Sequence, residues 1–304
     1  MAERPRHVRR HSSRGGRIAG LVGLALGALV LVGLAWGIRS IAESAGVGKD
    51  EAAGETTPTV AEPTGPTLKI VFPEGFTRKD MAARIAAVNE IALDKRDVKT
   101  RLSPKAYLRL TERGALPRDF AKARLPHLEG FLFPATYAFT KNTTTRGLVN
   151  MQLEAFTNAW AGVDLEYARS KNLNAYDVLI IASMVEKEVQ VPKERPLVAA
   201  VIYNRLKAGM PLGIDATIRY GLDIPPTQAI LESQLESDSP YNTRERLGLT
   251  PTPIANPGLA SIQAAAHPAK VDHLFFIRKP DCRSHFFTAS QEAFDNYSRE
   301  GLNC

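Results

Sequence analysis

The sequence predicts an α+β protein, a mainly helical body with a minor sheet, preceded by one N-terminal transmembrane helix. Three observations carry this. Residues 18–38 contain no charged side chain. From residue 68 onward, apolar residues recur at helical spacing behind recognisable caps. Short extended runs bounded by turn residues occur near the start and the end of that stretch.

Residues 1–17 form a tail with six arginines against Glu3, a net charge of +5. The uncharged segment Ile18–Ile38 rises about 30 Å as a helix, the thickness of a bilayer's hydrocarbon core. Its basic flank comes first, so the N-terminus stays in the cytoplasm and the rest of the chain lies outside, in a single-pass protein of the cell membrane. A cleaved signal peptide is the competing reading, but its apolar region usually runs only about 7–15 residues. Residues 39–67 are rich in Gly, Pro, Thr and Glu, bury too little to fold, and read as a flexible linker.

Folded sequence begins at Leu68. Leu68–Phe72 reads as a strand and Pro73-Glu74-Gly75 as a turn. Thr77, with Asp80 three residues on, caps a helix carrying Met81, Ile85 and Val88 on one face. Ser103-Pro104 opens a second helix that stops at Gly114. These elements make a small α/β unit, residues 68–125. The main domain, 126–304, starts with the aromatic, partly extended run Leu128–Phe139. Helices follow over Thr145–Trp160, from Asn174 (cap, with Asp177 at N3) through Glu188, and over Pro196–Ala208 ending at Gly209. A short Ala-rich helix precedes His267. Strands Leu274–Ile277 and His285–Thr288 and a closing helix complete the chain.

Of the net charge of +7, only about +2 lies beyond the tail, so no basic face for nucleic acid is expected. The six histidines are scattered, two of them in the tail, without metal-ligand spacing. There is no Gly-x-Ser-x-Gly elbow and no Gly-rich phosphate loop. Neither a metal nor a cofactor is expected. Cys282 and Cys304 are the only cysteines, and an exported domain permits a disulfide between them.

The chemistry concentrates in Ile181-Ala-Ser-Met-Val-Glu-Lys-Glu-Val189. At 100° per residue, Val178, Ile181, Val185 and Val189 form a buried stripe. Glu188 falls at its edge beside Met184 and Ile181, whereas Glu186 falls on a more polar side near Ser183. A carboxyl held against apolar neighbours keeps its proton to higher pH, as a general acid near neutrality requires. A solvated Glu pair flanking Lys187 is the plain alternative, and the E-K-E run alone does not decide between them.

Four blocks extend the reading. ASMVEKEVQVPKERPLVAAVIYNRLKAGMPLGIDATIRYG resembles the signature of the MltG (YceG-like) family, and SPYNTRERLGLTPTPIANPGLASIQAAAHPAK, LEGFLFPATY and HFFTAS are similar to further family segments in the same order. The resemblance covers roughly residues 68–300. It implies an endolytic lytic transglycosylase that cleaves the β-1,4 bond between N-acetylmuramic acid and N-acetylglucosamine in peptidoglycan, leaving a 1,6-anhydro end. It also implies that residues 68–125 are a partial LysM-like subdomain and 126–304 the catalytic domain. The glutamate of other lytic transglycosylases ends a helix before Ser. Glu188 is similarly placed before Val189 and is favoured as the acid over Glu186. Gly213 and Asp215-Ala216 depart from the family's Gln and Asp-Pro.

Asp215, Thr217, Tyr220, Asn204, Tyr241 and Asn242 are the candidate substrate-binding residues. Asp215 is equally a helix-capping turn residue, and Asn204 and Arg205 are equally partners for Glu194. Glu129 reads chiefly as a loop-fixing group, and His267 and His285 as ligands of backbone carbonyls. The family implies nascent glycan strands as substrate, proximity to peptidoglycan synthases, and a role in ending strand elongation. A hydrolytic muramidase using Glu188 and Asp215, and a non-catalytic wall-binding scaffold, are the alternatives.

Overall fold

A computed structural model describes residues 67–299, apart from 114–115, 117 and 121–125. The predicted membrane span 18–38, the linker up to residue 66 and Cys304 lie outside the described residues. Among those described, no helix is long and apolar enough to cross a membrane.

The elements run β1 (Leu68–Val71), α1 (Arg78–Arg96), α2 (Pro104–Leu110), β2 (Thr136–Phe139), α3 (Thr145–Trp160), α4 (Glu166–Ser170) and α5 (Ala175–Glu188). They continue with α6 (Arg195–Ala208), α7 (Asp215–Gly221), α8 (Glu232–Leu235), α9 (Leu259–Ala266), β3 (Phe275–Arg278), β4 (His285–Thr288) and α10 (Gln291–Arg299). The α+β expectation holds, and among the described residues the named strands form two separate antiparallel ribbons. In one, Leu68 faces Phe139 and Val71 faces Thr136. In the other, Phe275 faces Thr288 and Arg278 faces His285.

Capping sets the helix starts. Thr77 and Asp80 close a reciprocal box at α1, and Asn174 and Asp177 another at α5, where the Asn174 N–H donates to Asp177 at 2.8 Å. Such caps are worth about 1 kcal/mol each. Helix α2 stops at Leu110, short of Gly114, because the Thr111 hydroxyl turns back onto the Tyr107 and Leu108 carbonyls. Gly209, at φ 64°, ends α6 as expected.

Helix α5 is the axis of the core. Every residue from Val178 to Val185 is buried, and α6 and α9 pack against it. The stripe of Val178, Ile181, Val185 and Val189 is buried as predicted, but the Ser183 side is not a polar face. Ser183 is fully buried, donates to the Ile180 carbonyl and accepts from Ile254 N–H at 3.0 Å. Phe120, Phe131, Phe156 and Trp160 stack and edge one another beside α3, with centroids 4.8–5.8 Å apart. Strand β1 pairs with β2 across position 126, and one apolar cluster extends over both sides of it. Cys282 is disulfide-bonded.

Candidate active site

A groove of about 1430 Å³ is walled by the first turn of α1, the end of α5, helix α7, Tyr241, Arg244 and the β3–β4 hairpin. Glu188, the last residue of α5, stands in this wall. It is half-buried, and burial pushes its carboxyl up to about 7. The nearby Asp215 charge pushes the same way. The Arg278 and Lys187 cations and a hydrogen bond from the Ala216 backbone N–H oppose it. The C-terminal end of a helix, with its unpaired carbonyls, is also an unfavourable place for a negative charge.

Glu129 is the second desolvated carboxyl of the groove. It is 2% exposed, and its oxygens accept from Arg78 N–H (3.0 Å), Asn256 Nδ2 (2.7 Å) and the Tyr220 hydroxyl (3.2 Å). Burial outweighs these bonds and raises it to about 7. Asn256 is fully buried and also accepts the Gly130 and Leu132 N–H groups at 2.9 Å. The loop-fixing role expected of Glu129 is therefore present, but on a groove residue joined to three segments. Burial and Arg78 together depress neighbouring His127 to about 4, so this wall carries a neutral imidazole.

Of the candidate catalytic and substrate-binding residues, Glu188, Asp215, Tyr220 and Tyr241 meet in the groove, joined there by Glu129, Arg205 and His285. Both Nε and Nη2 of Arg244 donate to Asp215 Oδ1, at 2.9 and 2.6 Å. The Tyr220 and Tyr241 rings meet edge to face at 5.2 Å, and the Tyr241 hydroxyl shares a 2.9 Å bond with Thr252. Gly221 permits this approach, since a Cβ there would lie 2.6 Å from Tyr241 Cβ.

The remaining candidates point elsewhere. Glu186 accepts the Gly258 N–H at 3.1 Å and thereby caps α9, away from the groove lining. Thr217 is buried on the Ile214 carbonyl and Thr243. Asn204 gives its amide to the Val271 and His273 carbonyls, and Asn242 to those of Leu235 and Ser237. These three side chains satisfy backbone and scaffold instead of facing substrate space. Arg205 lines the groove while bonding the Leu274 and Leu212 carbonyls. Glu194 is left to His285, at 2.8 Å, so His285 is not a carbonyl ligand. Arg278, unmarked in sequence, brings a guanidinium into the groove near Glu188.

The fold and groove thus define a mainly helical α+β protein with two desolvated glutamates in one cleft. Residues 52–300 match the YceG-like family, and the chain belongs to that family. It is 34% identical over 220 residues to the endolytic murein transglycosylase of Bacillus subtilis, covering 71% of this chain and 60% of that protein. It is 32% identical over 260 residues to a protein of the same name from Streptococcus pneumoniae, covering 80% and 46%. The chain thus spans only about half of these relatives' length. The crystal structure of a yceG-like protein from Listeria monocytogenes superposes with a TM-score of 0.59 at 32% identity over 75% of each chain.

Proposed function

We propose that this chain is an endolytic lytic transglycosylase acting on nascent peptidoglycan strands. The observation that carries the reading is Glu188, a carboxyl in the wall of an extended groove that holds its proton to about pH 7. The protonated acid donates to the glycosidic oxygen as positive charge develops at C1 of the N-acetylmuramyl unit. The resulting carboxylate takes the proton of the same sugar's C6 hydroxyl, which closes on C1 as the 1,6-anhydro ring. One acid/base suffices because the nucleophile is intramolecular and has a high effective concentration. Tyr220 and Tyr241 offer aromatic surface to the sugar, and Asp215 tunes Glu188 and offers a hydrogen bond. The reaction needs no metal or cofactor.

The same reading makes residues 68–125 a partial LysM-like subdomain and 126–304 the catalytic domain. Residues 18–38 hold the chain in the cell membrane with its N-terminus cytoplasmic, beside the synthases whose strands it terminates. A hydrolytic muramidase would instead use Asp215 as base or nucleophile, a carboxylate whose Oδ1 is held by Arg244. Digestion of purified nascent glycan, read by mass spectrometry, tests the proposal. A transglycosylase releases products lighter by one water and without reducing ends, and the Glu188→Gln variant should be slower by about 10²-fold or more. Reducing-end products from the parent, or full activity in the variant, would overturn it.

A further inference from the structure

One buried pair, of which His285 lines the groove, has no part in that mechanism. Glu194 and His285, each 4% exposed, come together from positions 91 residues apart. Glu194 Oε2 lies 2.8 Å from His285 Nδ1, and Oε1 accepts the His285 backbone N–H at 3.2 Å. A carboxylate facing Nδ1 selects the tautomer with the proton there, in which Nε2 is the acceptor. The rings of Phe276 and Phe287 lie 5.4 and 6.0 Å from the imidazole and hold its plane.

Nε2 has no hydrogen-bond partner among the described residues. Among the described residues, the fully buried side-chain polar atoms without a partner are Ser237 Oγ and His273 Nδ1, and His285 is part of the groove lining. The register places His285 opposite Arg278, so both side chains leave the same face of the hairpin. Arg278 is in turn the cation that acts most strongly on Glu188. A free acceptor therefore stands on the hairpin face that approaches the acid.

Resting on the transglycosylase reading, we infer that His285 Nε2 holds the C6 hydroxyl of the muramyl unit being cleaved, with Glu194 as its positioning residue. The chemistry of the sugar selects this group. Within a strand, N-acetylmuramic acid has C1 and C4 in glycosidic bonds, C2 as an acetamide and C3 as an ether, so C6 carries its one free hydroxyl. Nε2 accepts from O6–H and keeps O6 against C1. When the C1–O4 bond opens, its electron pair and the Glu188 proton go to O4. As O6 bonds C1, its proton swings from the Nε2 contact to the Glu188 carboxylate, and His285 ends as it began.

The test uses the full-length protein on nascent glycan and counts anhydro and reducing ends by mass spectrometry. His285→Asn keeps an amide N–H for Glu194 but deletes Nε2, whereas His285→Gln restores a polar atom near Nε2. The Asn variant should melt near the parent, lose rate about tenfold, and form a larger share of reducing ends as water reaches the unescorted C1 cation. Gln should recover part of both losses. An Asn variant with parental rate, or a slower one with an unchanged share of anhydro ends, overturns the inference alone. A parent that forms no anhydro ends removes the transglycosylase reading with it.

Discussion

Replacing Asp215 with Asn removes a negative charge facing Glu188, and replacing Arg278 with Gln removes a positive one. Both act on a group that burial has moved from 4.5 to about 7. At about 1.4 kcal/mol per pH unit, that displacement is worth roughly 3 kcal/mol in favour of the neutral form. Its kinetic meaning is larger than it sounds. At pH 7 an unperturbed glutamate keeps its proton in roughly one molecule in 300, whereas Glu188 keeps it in about half, a gain of about 10² in competent acid. The assay is the pH dependence of kcat/KM on soluble glycan. The parent should be level on the acid side and fall about tenfold per unit well above pH 7. Losing Asp215 favours the carboxylate, so the fall begins at lower pH. Losing Arg278 disfavours the carboxylate, so the fall begins at higher pH. Comparing each variant with its own plateau separates this effect from weakened substrate binding, and Glu129→Gln, which spares Glu188, should keep a falling limb. A parent profile flat from about pH 5.5 to 8.5, or two variants that move the limb in one direction, would refute the assignment.

Glu129 makes a separate prediction about stability. Its folded value of about 7 lies above 4.5, so the folded state holds a proton that the unfolded chain releases between those values. Stability from this group is complete below about pH 4.5 and is lost as pH rises through 7, approaching a cost of about 3 kcal/mol. Glu129→Gln copies the neutral form, so its melting temperature should exceed the parent's at pH 8 and match it near pH 5; an equal difference at both values contradicts the burial argument. Gly130→Ala should cost about 2–4 kcal/mol in urea unfolding, because Gly130 has φ +91° and a Cβ there would lie 2.6 Å from Pro253 Cγ. A midpoint within error of the parent would show that this turn relaxes freely.

The boundaries of α3, α5 and α6 were legible because their signals are local: an Asn174–Asp177 box, a Gly209 stop, apolar residues at helical spacing. Position within the body was less legible. By helical angle Ser183 falls beside Glu186 on the more polar side of the helix. Here it is fully buried, holding Ile254 N–H, a partner 71 residues away. The same distance problem hid the buried pairs. Glu129 meets Asn256 across 127 residues and Glu194 meets His285 across 91, and no periodicity in either segment encodes the other. Asn256 lies inside a family block read for resemblance alone, yet it is the amide that joins three segments around Glu129.

The two glutamates of the E-K-E run show how one helix separates structural from chemical work. Two positions along a helix are about 200° apart, so only one of Glu186 and Glu188 can face a given side. Because α5 is buried on all sides through Val185, both acids emerge together where the core ends, at the helix's electronegative end. Glu186 accepts the N–H of Gly258, the residue just ahead of α9, and ties the two helices. Glu188 turns instead into the groove, with Arg278 and one backbone N–H set against burial and Asp215. That balance leaves its proton both retained and transferable near neutrality. A fully paired carboxylate would hold no proton to give, and a wholly apolar niche would not take it back from the sugar.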